Sequence, residues 1–151
     1  MSHYNNASEL DELTLGKTTD YTGEYNAKLL QPVPRSLNRN ELNINQSTLP
    51  FNGEDVWYGY ELSWLNSKGK PVVAVAEFKF PCTSPNIIES KSFKLYLNSF
   101  NQTRFSSMQI VEAQLQQDLS KIAGVPAQVS LFNVTQCSEL NIQPQAAKCI
   151  D

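Results

Sequence analysis

The stretch D-V-W-Y-G-Y-E-L-S-W, from Asp55 to Trp64, decides the fold. In it Val56, Tyr58, Tyr60, Leu62 and Trp64 alternate with Trp57, Gly59, Glu61 and Ser63. A period of two sends one set of side chains to a core face and the other toward water, so the stretch predicts a strand. Asn66, Ser67, Lys68, Gly69 and Lys70 follow with turn chemistry, Gly69 being able to take a positive φ. Val72, Ala74, Ala76, Phe78 and Phe80 then alternate again, with Glu77 and Lys79 on the wetter face. The two segments predict a hairpin.

Downstream, Ile88 to Asn101 reads I-E-S-K-S-F-K-L-Y-L-N-S-F-N. Phe93, Tyr96, Leu97 and Phe100 share one helical face, whereas Phe93, Leu95 and Leu97 would share a strand face. Ser90, as a candidate N-cap, favours the helix. From Met108 a second helix is predicted, because Met108, Val111, Leu115, Leu119 and Ile122 recur at three- and four-residue steps while Glu112, Gln116, Gln117 and Asp118 point elsewhere. Gly124 and Pro126 end it. Val129 and Leu131, alternating with Ser130 and Phe132, predict a third strand, and Leu140 to Ile142 allows a short fourth. This order predicts an α+β unit, two antiparallel helices laid on one face of an antiparallel sheet. So small a sheet leaves edge strands with N–H and C=O groups to pair, which invites another chain or module.

Upstream, Met1 to Pro50 is polar, with isolated apolar spots at Leu29, Leu30 and Val33 and no sustained period. The expected division is an extended amino-terminal arm over 1–50, packing on a partner, and one module over 51–151. Pro32, Val33 and Pro34 should be stiff and extended within that arm.

Composition narrows the chemistry. A chain of 151 residues with 40% hydrophobic and 10% aromatic content can bury one ordinary core. No run approaches the roughly 18 apolar residues of a membrane span, and the polar start lacks a secretory pattern, so a cytoplasmic location is expected. On that expectation the N-x-S/T triplets at Asn6, Asn45, Asn101 and Asn133 are chance. Cys82, Cys137 and Cys149 form no disulfide framework by number or spacing, and read as free thiols. With one histidine, His3, a protein-only metal centre has few ligands to draw on. The formal net charge of −3 opposes a broad nucleic-acid footprint.

Three stretches invite a chemical reading. Gly16, Lys17 and Thr18 match the end of a phosphate-binding loop, but Asp11 stands where that motif needs a glycine. Cys82 lies seven residues before Glu89, yet nothing adjacent lowers its pKa, which favours a structural thiol. Glu89, Ser90, Lys91 and Ser92 crowd a carboxylate, two hydroxyls and a cation at a helix start. In the plain account Ser90 caps the helix while Glu89 and Lys91 are solvated. In the functional account helix N–H groups, Ser90 and Lys91 hold a phosphate, and Glu89 accepts two parallel hydrogen bonds from the N–H edge of a guanine-like base.

The run E-S-K-S-F-K-L-Y-L-N-S-F-N, Glu89 to Asn101, closely resembles the signature of the QueF family of 7-cyano-7-deazaguanine reductases, which belong to the tunnelling-fold superfamily. Further resemblance lies in L-G-K-T-T-D-Y from Leu15, L-L-Q-P-V-P-R-S-L-N-R from Leu29 and Y-E-L-S-W-L-N from Tyr60. The chain is similar to the amino-terminal module of the two-module form. The resemblance implies NADPH-dependent reduction of a nitrile to a primary amine through a covalent thioimide, in queuosine biosynthesis for tRNA modification. It implies substrate contacts at Ile88, Glu89 and Ser90, and NADPH contacts at Ser90 and Lys91. The family's C-x-x-T-x-Q-P-D type of nucleophile segment is absent and Cys82 does not match it. The resemblance therefore places no catalytic residue and no metal in this chain, and implies a carboxy-terminal catalytic module and a homo-oligomer as partners.

Overall fold

In the computed structural model, residues 23–135 are described. A 3-10 turn, Ala27–Leu29, leads into strand β1, Pro32–Pro34, and a single helical turn α1, Ser36–Arg39. The predicted hairpin follows as β2, Glu54–Leu65, and β3, Pro71–Pro81, with Gly69 in the turn at φ 80°. Next come β4, Asn86–Ile88, and the two helices, α2, Ser90–Asn98, and α3, Met108–Ala123. Strand β5, Gln128–Asn133, closes the described part, and the suggested strand at Leu140 to Ile142 lies outside it. His3, Gly16, Lys17, Thr18, Cys137 and Cys149 lie outside it too.

Strands β2, β3 and β5 form one antiparallel sheet in that order, and β1 pairs antiparallel with β4 in a separate two-stranded ribbon. The class is α+β, as the sequence predicts. On β3 Ala74, Ala76, Phe78 and Phe80 are buried in one core with Phe93, Tyr96 and Phe100 of α2 and its end, and Val111, Leu115, Leu119 and Ala123 of α3; the alternation is clean from Ala76 onward, Val75 on the opposite parity being buried as well. Burying each of the larger apolar side chains contributes about 1.5–3 kcal/mol.

On β2 the expected single face is split. Leu62 and Trp64 are buried, but Val56, Tyr58 and Tyr60 are exposed, Tyr60 by 61%. The cause lies in the register: Gly59 pairs with Ala76 and Leu62 with Ala74, three steps on one strand against two on the other. This bulge inserts one residue and reverses which parity faces the core. Trp57 and Gly59 thereby turn inward, Trp57 standing 5.6 Å from Phe93 between ring centroids.

The segment before the hairpin lies along α2. The backbone N–H groups of Tyr25, Asn26 and Gln31 donate to Thr103 Oγ1, Ser99 Oγ and Ser92 Oγ at 2.8, 3.1 and 3.1 Å. Tyr25 and Tyr96 both donate their hydroxyls to Asp118 Oδ2, at 2.5 and 2.7 Å, and Gln114 donates to the Tyr25 oxygen at 2.8 Å. Burial first, and then the Asp118 carboxylate, raise both phenols well above their ordinary pKa. Each stays a neutral donor. At the other end of α3, Gly124 takes φ 79° as the helix stops.

Candidate functional site at the start of helix α2

Strand β4 delivers Ile88, only 2% exposed, and the chain then enters α2 at Glu89. The N-cap is Glu89, with φ −65° and ψ 129°, rather than Ser90, which is the first helical residue. Its Oε1 accepts the Lys91 N–H at 2.8 Å and its Oε2 the Ser92 N–H at 2.6 Å. A carboxylate long enough to reach both donors satisfies two of the groups that a helix start leaves open, and its charge faces the positive end of the dipole. Glu89 is 4% exposed, so the solvated carboxylate of the plain account is corrected: it is a buried one. Ser90 is exposed and Lys91 half-buried.

This geometry also redistributes the phosphate-binding groups. Two of the helix N–H groups that the sequence reading offers to a phosphate are taken by Glu89. The Ser90 hydroxyl and the Lys91 ammonium are the side-chain groups at this helix end whose chemistry suits an anion.

Beside Ser90 lies an apolar slot of about 400 Å³ between β2 and α2. Trp57, Gly59, Phe78, Phe93 and Leu97 line it, with Tyr60, Glu61 and Lys94 among the residues around it. The Phe78 and Phe93 rings meet edge to face at 4.9 Å. A Cβ on Gly59 would sit 3.4 Å from the Phe78 ring, in ordinary van der Waals contact with it. Trp57 and Gly59 escape sequence reasoning because their position in the alternation assigns them to the wet face.

Cys82 is not among the residues that line this slot. Its Sγ stands 4.0 Å from the Phe51 carbonyl, and its own carbonyl accepts from Arg39 Nη2 at 2.7 Å. Among the described residues no cluster of three His, Cys, Asp or Glu side chains could hold a metal. No helix among them is long and apolar enough to cross a membrane.

The family model described as nitrile reductase, 7-cyano-7-deazaguanine-reductase N-term, matches residues 21–131. The chain belongs to this family. A curated relative, the NADPH-dependent 7-cyano-7-deazaguanine reductase of Colwellia psychrerythraea strain 34H, is 69% identical over 150 residues. That alignment covers 99% of this chain and 52% of the relative, so the chain spans about half the relative's length. In this nitrile-reductase amino-terminal module, a buried carboxylate, an exposed hydroxyl and a half-buried cation follow one another in the chain at the start of α2.

Proposed function

We propose that this chain is the amino-terminal module of a nitrile reductase that converts 7-cyano-7-deazaguanine to 7-aminomethyl-7-deazaguanine with two NADPH, a step toward queuosine in tRNA. On this reading residues 1–50 form the arm and 51–151 one tunnelling-fold module, joined in a homo-oligomer to a carboxy-terminal module that supplies the nucleophilic cysteine and the proton donor. Ile88, Glu89 and Ser90 hold the substrate. Ser90 and Lys91 hold NADPH.

The carrying observation is the Glu89 carboxylate, buried and aligned by two helix N–H groups, next in the chain to Ser90, which lines an aromatic slot. A carboxylate has about four lone-pair directions, so capping the helix is compatible with accepting the ring N–H and exocyclic amine of a deazaguanine. Low exposure strengthens such charge-assisted bonds. The apolar slot suits the flat face of an aromatic ring, and the exposed Ser90 hydroxyl with the Lys91 ammonium suits a cofactor phosphate. NADPH, when bound, supplies hydride. This chain's residues bind and orient; the covalent thioimide forms on a cysteine outside it.

A second reading has its own support, since both Glu89 oxygens already serve the chain's own helix. On that reading the chain is a non-catalytic nucleobase-binding or assembly module. Joining it to the carboxy-terminal half of the Colwellia relative separates the two. The joined protein should oxidise NADPH and yield the primary amine, and the 151-residue chain alone should do neither. Nitrile reduction by the chain alone would overturn the assignment of the nucleophile elsewhere.

A further inference from the structure

Glu89 is held by a closed circuit of hydrogen bonds that runs through the segment preceding the hairpin. Its N–H donates to the Gln31 carbonyl at 2.9 Å. The Gln31 N–H donates to Ser92 Oγ at 3.1 Å, and that hydroxyl donates to the Glu89 carbonyl at 2.8 Å. Ser92 also gives its own N–H to the carboxylate at 2.6 Å. Gln31 thus grips both Glu89 and Ser92, and Ser92 grips both ends of Glu89.

The circuit matters because the neighbouring ladder is poor in donors. Two of the three residues of β1, Pro32 and Pro34, have no N–H, which leaves Val33 as the only donor the strand can turn toward β4. The ends of the ribbon are fixed from outside it, by the Arg35 N–H on the Pro85 carbonyl at 2.9 Å and by Gln31 at the Glu89 end. Ser92 is fully buried, so water cannot replace its hydroxyl.

We infer that Ser92, acting with the Gln31 backbone, is a positioning residue that sets the Glu89 carboxylate for its ligand; this rests on the reading of Glu89 as the base-gripping group. The fold contains its own control. Ser99, equally buried at the C-cap of α2, accepts the Asn26 N–H at 3.1 Å and donates to the Tyr96 carbonyl at 2.6 Å, the same device at the far end of the helix.

The test uses the joined protein and calorimetric binding of 7-cyano-7-deazaguanine, with Ser92→Ala, Ser99→Ala and Glu89→Ala compared. Ser92→Ala should weaken binding about tenfold and raise KM more than it lowers kcat, while Ser99→Ala stays within roughly twofold of the parent although both lower the melting temperature alike. Ser92→Cys, which keeps a weak donor and acceptor in place, should fall between, and it carries the comparison should the alanine variant not fold. Equal binding by the Ser92 and Ser99 variants, alongside a large loss for Glu89→Ala, overturns the positioning role alone. No loss for Glu89→Ala removes the base-gripping reading as well.

Discussion

Replacing Glu89 by alanine and, separately, by serine dissociates two jobs that the wild-type side chain performs together. As a cap it accepts the Lys91 and Ser92 N–H groups at 2.8 and 2.6 Å, and alanine leaves both without that acceptor. Loss of such a cap costs about 0.5–2 kcal/mol, and a site 4% exposed belongs near the upper figure. Serine is among the best N-cap residues, so Glu89→Ser should retain most of that stability while removing the charge. Ligand binding should respond differently, because neither variant can accept two parallel bonds from a base edge. Losing a buried, charge-assisted contact costs about 2–5 kcal/mol. Both variants of the joined protein should therefore bind 7-cyano-7-deazaguanine roughly 30- to 4000-fold more weakly by calorimetry. Thermal unfolding of the same samples should show alanine clearly less stable than serine. If Glu89→Ser restored binding along with stability, the carboxylate would be a cap and nothing more, and the assembly reading would stand.

Asp118→Ala should destabilise the protein by about 3 kcal/mol in denaturant unfolding, since it removes the shared charged acceptor of Tyr25 and Tyr96. Because the folded pKa of both phenols is raised, their contribution to stability is intact below the ordinary value of 10.0 and is lost as pH climbs above it. Tyrosinate absorbance should show these two titrating last, with unfolding. Gly124→Ala should destabilise by more than about 1 kcal/mol, because φ is 79° and the new Cβ would meet Pro85 Cγ at 2.6 Å. Pro85→Ala in the same chain should recover the part due to the clash, measured as a double-mutant cycle.

Elements whose apolar residues repeat against a polar background were legible. The stripe from Met108 to Ile122 names α3, and Gly124 ends it as its backbone freedom predicts. On β3, Glu77 and Lys79 mark the outer face unmistakably, and they pair there at 3.0 Å. The start of α2 was legible as a helix and as a crowd of polar groups, but not in its detail. A short side chain such as Ser90 is the usual cap, and only the backbone shows that the turn begins one residue earlier, where the longer carboxylate reaches two donors. Nor can spacing reveal the partnership of Gln31 with Ser92, 61 residues apart, since backbone groups carry half of it.

The misread face of β2 has a physical cause that bears on function. Val56, Tyr58 and Tyr60 continue the apolar phase of Leu62 and Trp64 without a break in the sequence, and apolar character alone cannot distinguish a core side chain from one on an exposed sheet face. The extra residue between Gly59 and Leu62 is what separates them. Without it, Trp57 and Gly59 would turn outward and the slot beside Ser90 would lose both from its lining. The bulge costs regular pairing on β2, and what it places inward is the aromatic surface nearest to the first residue of α2. Local rules break at the position where the fold builds a recess rather than a core.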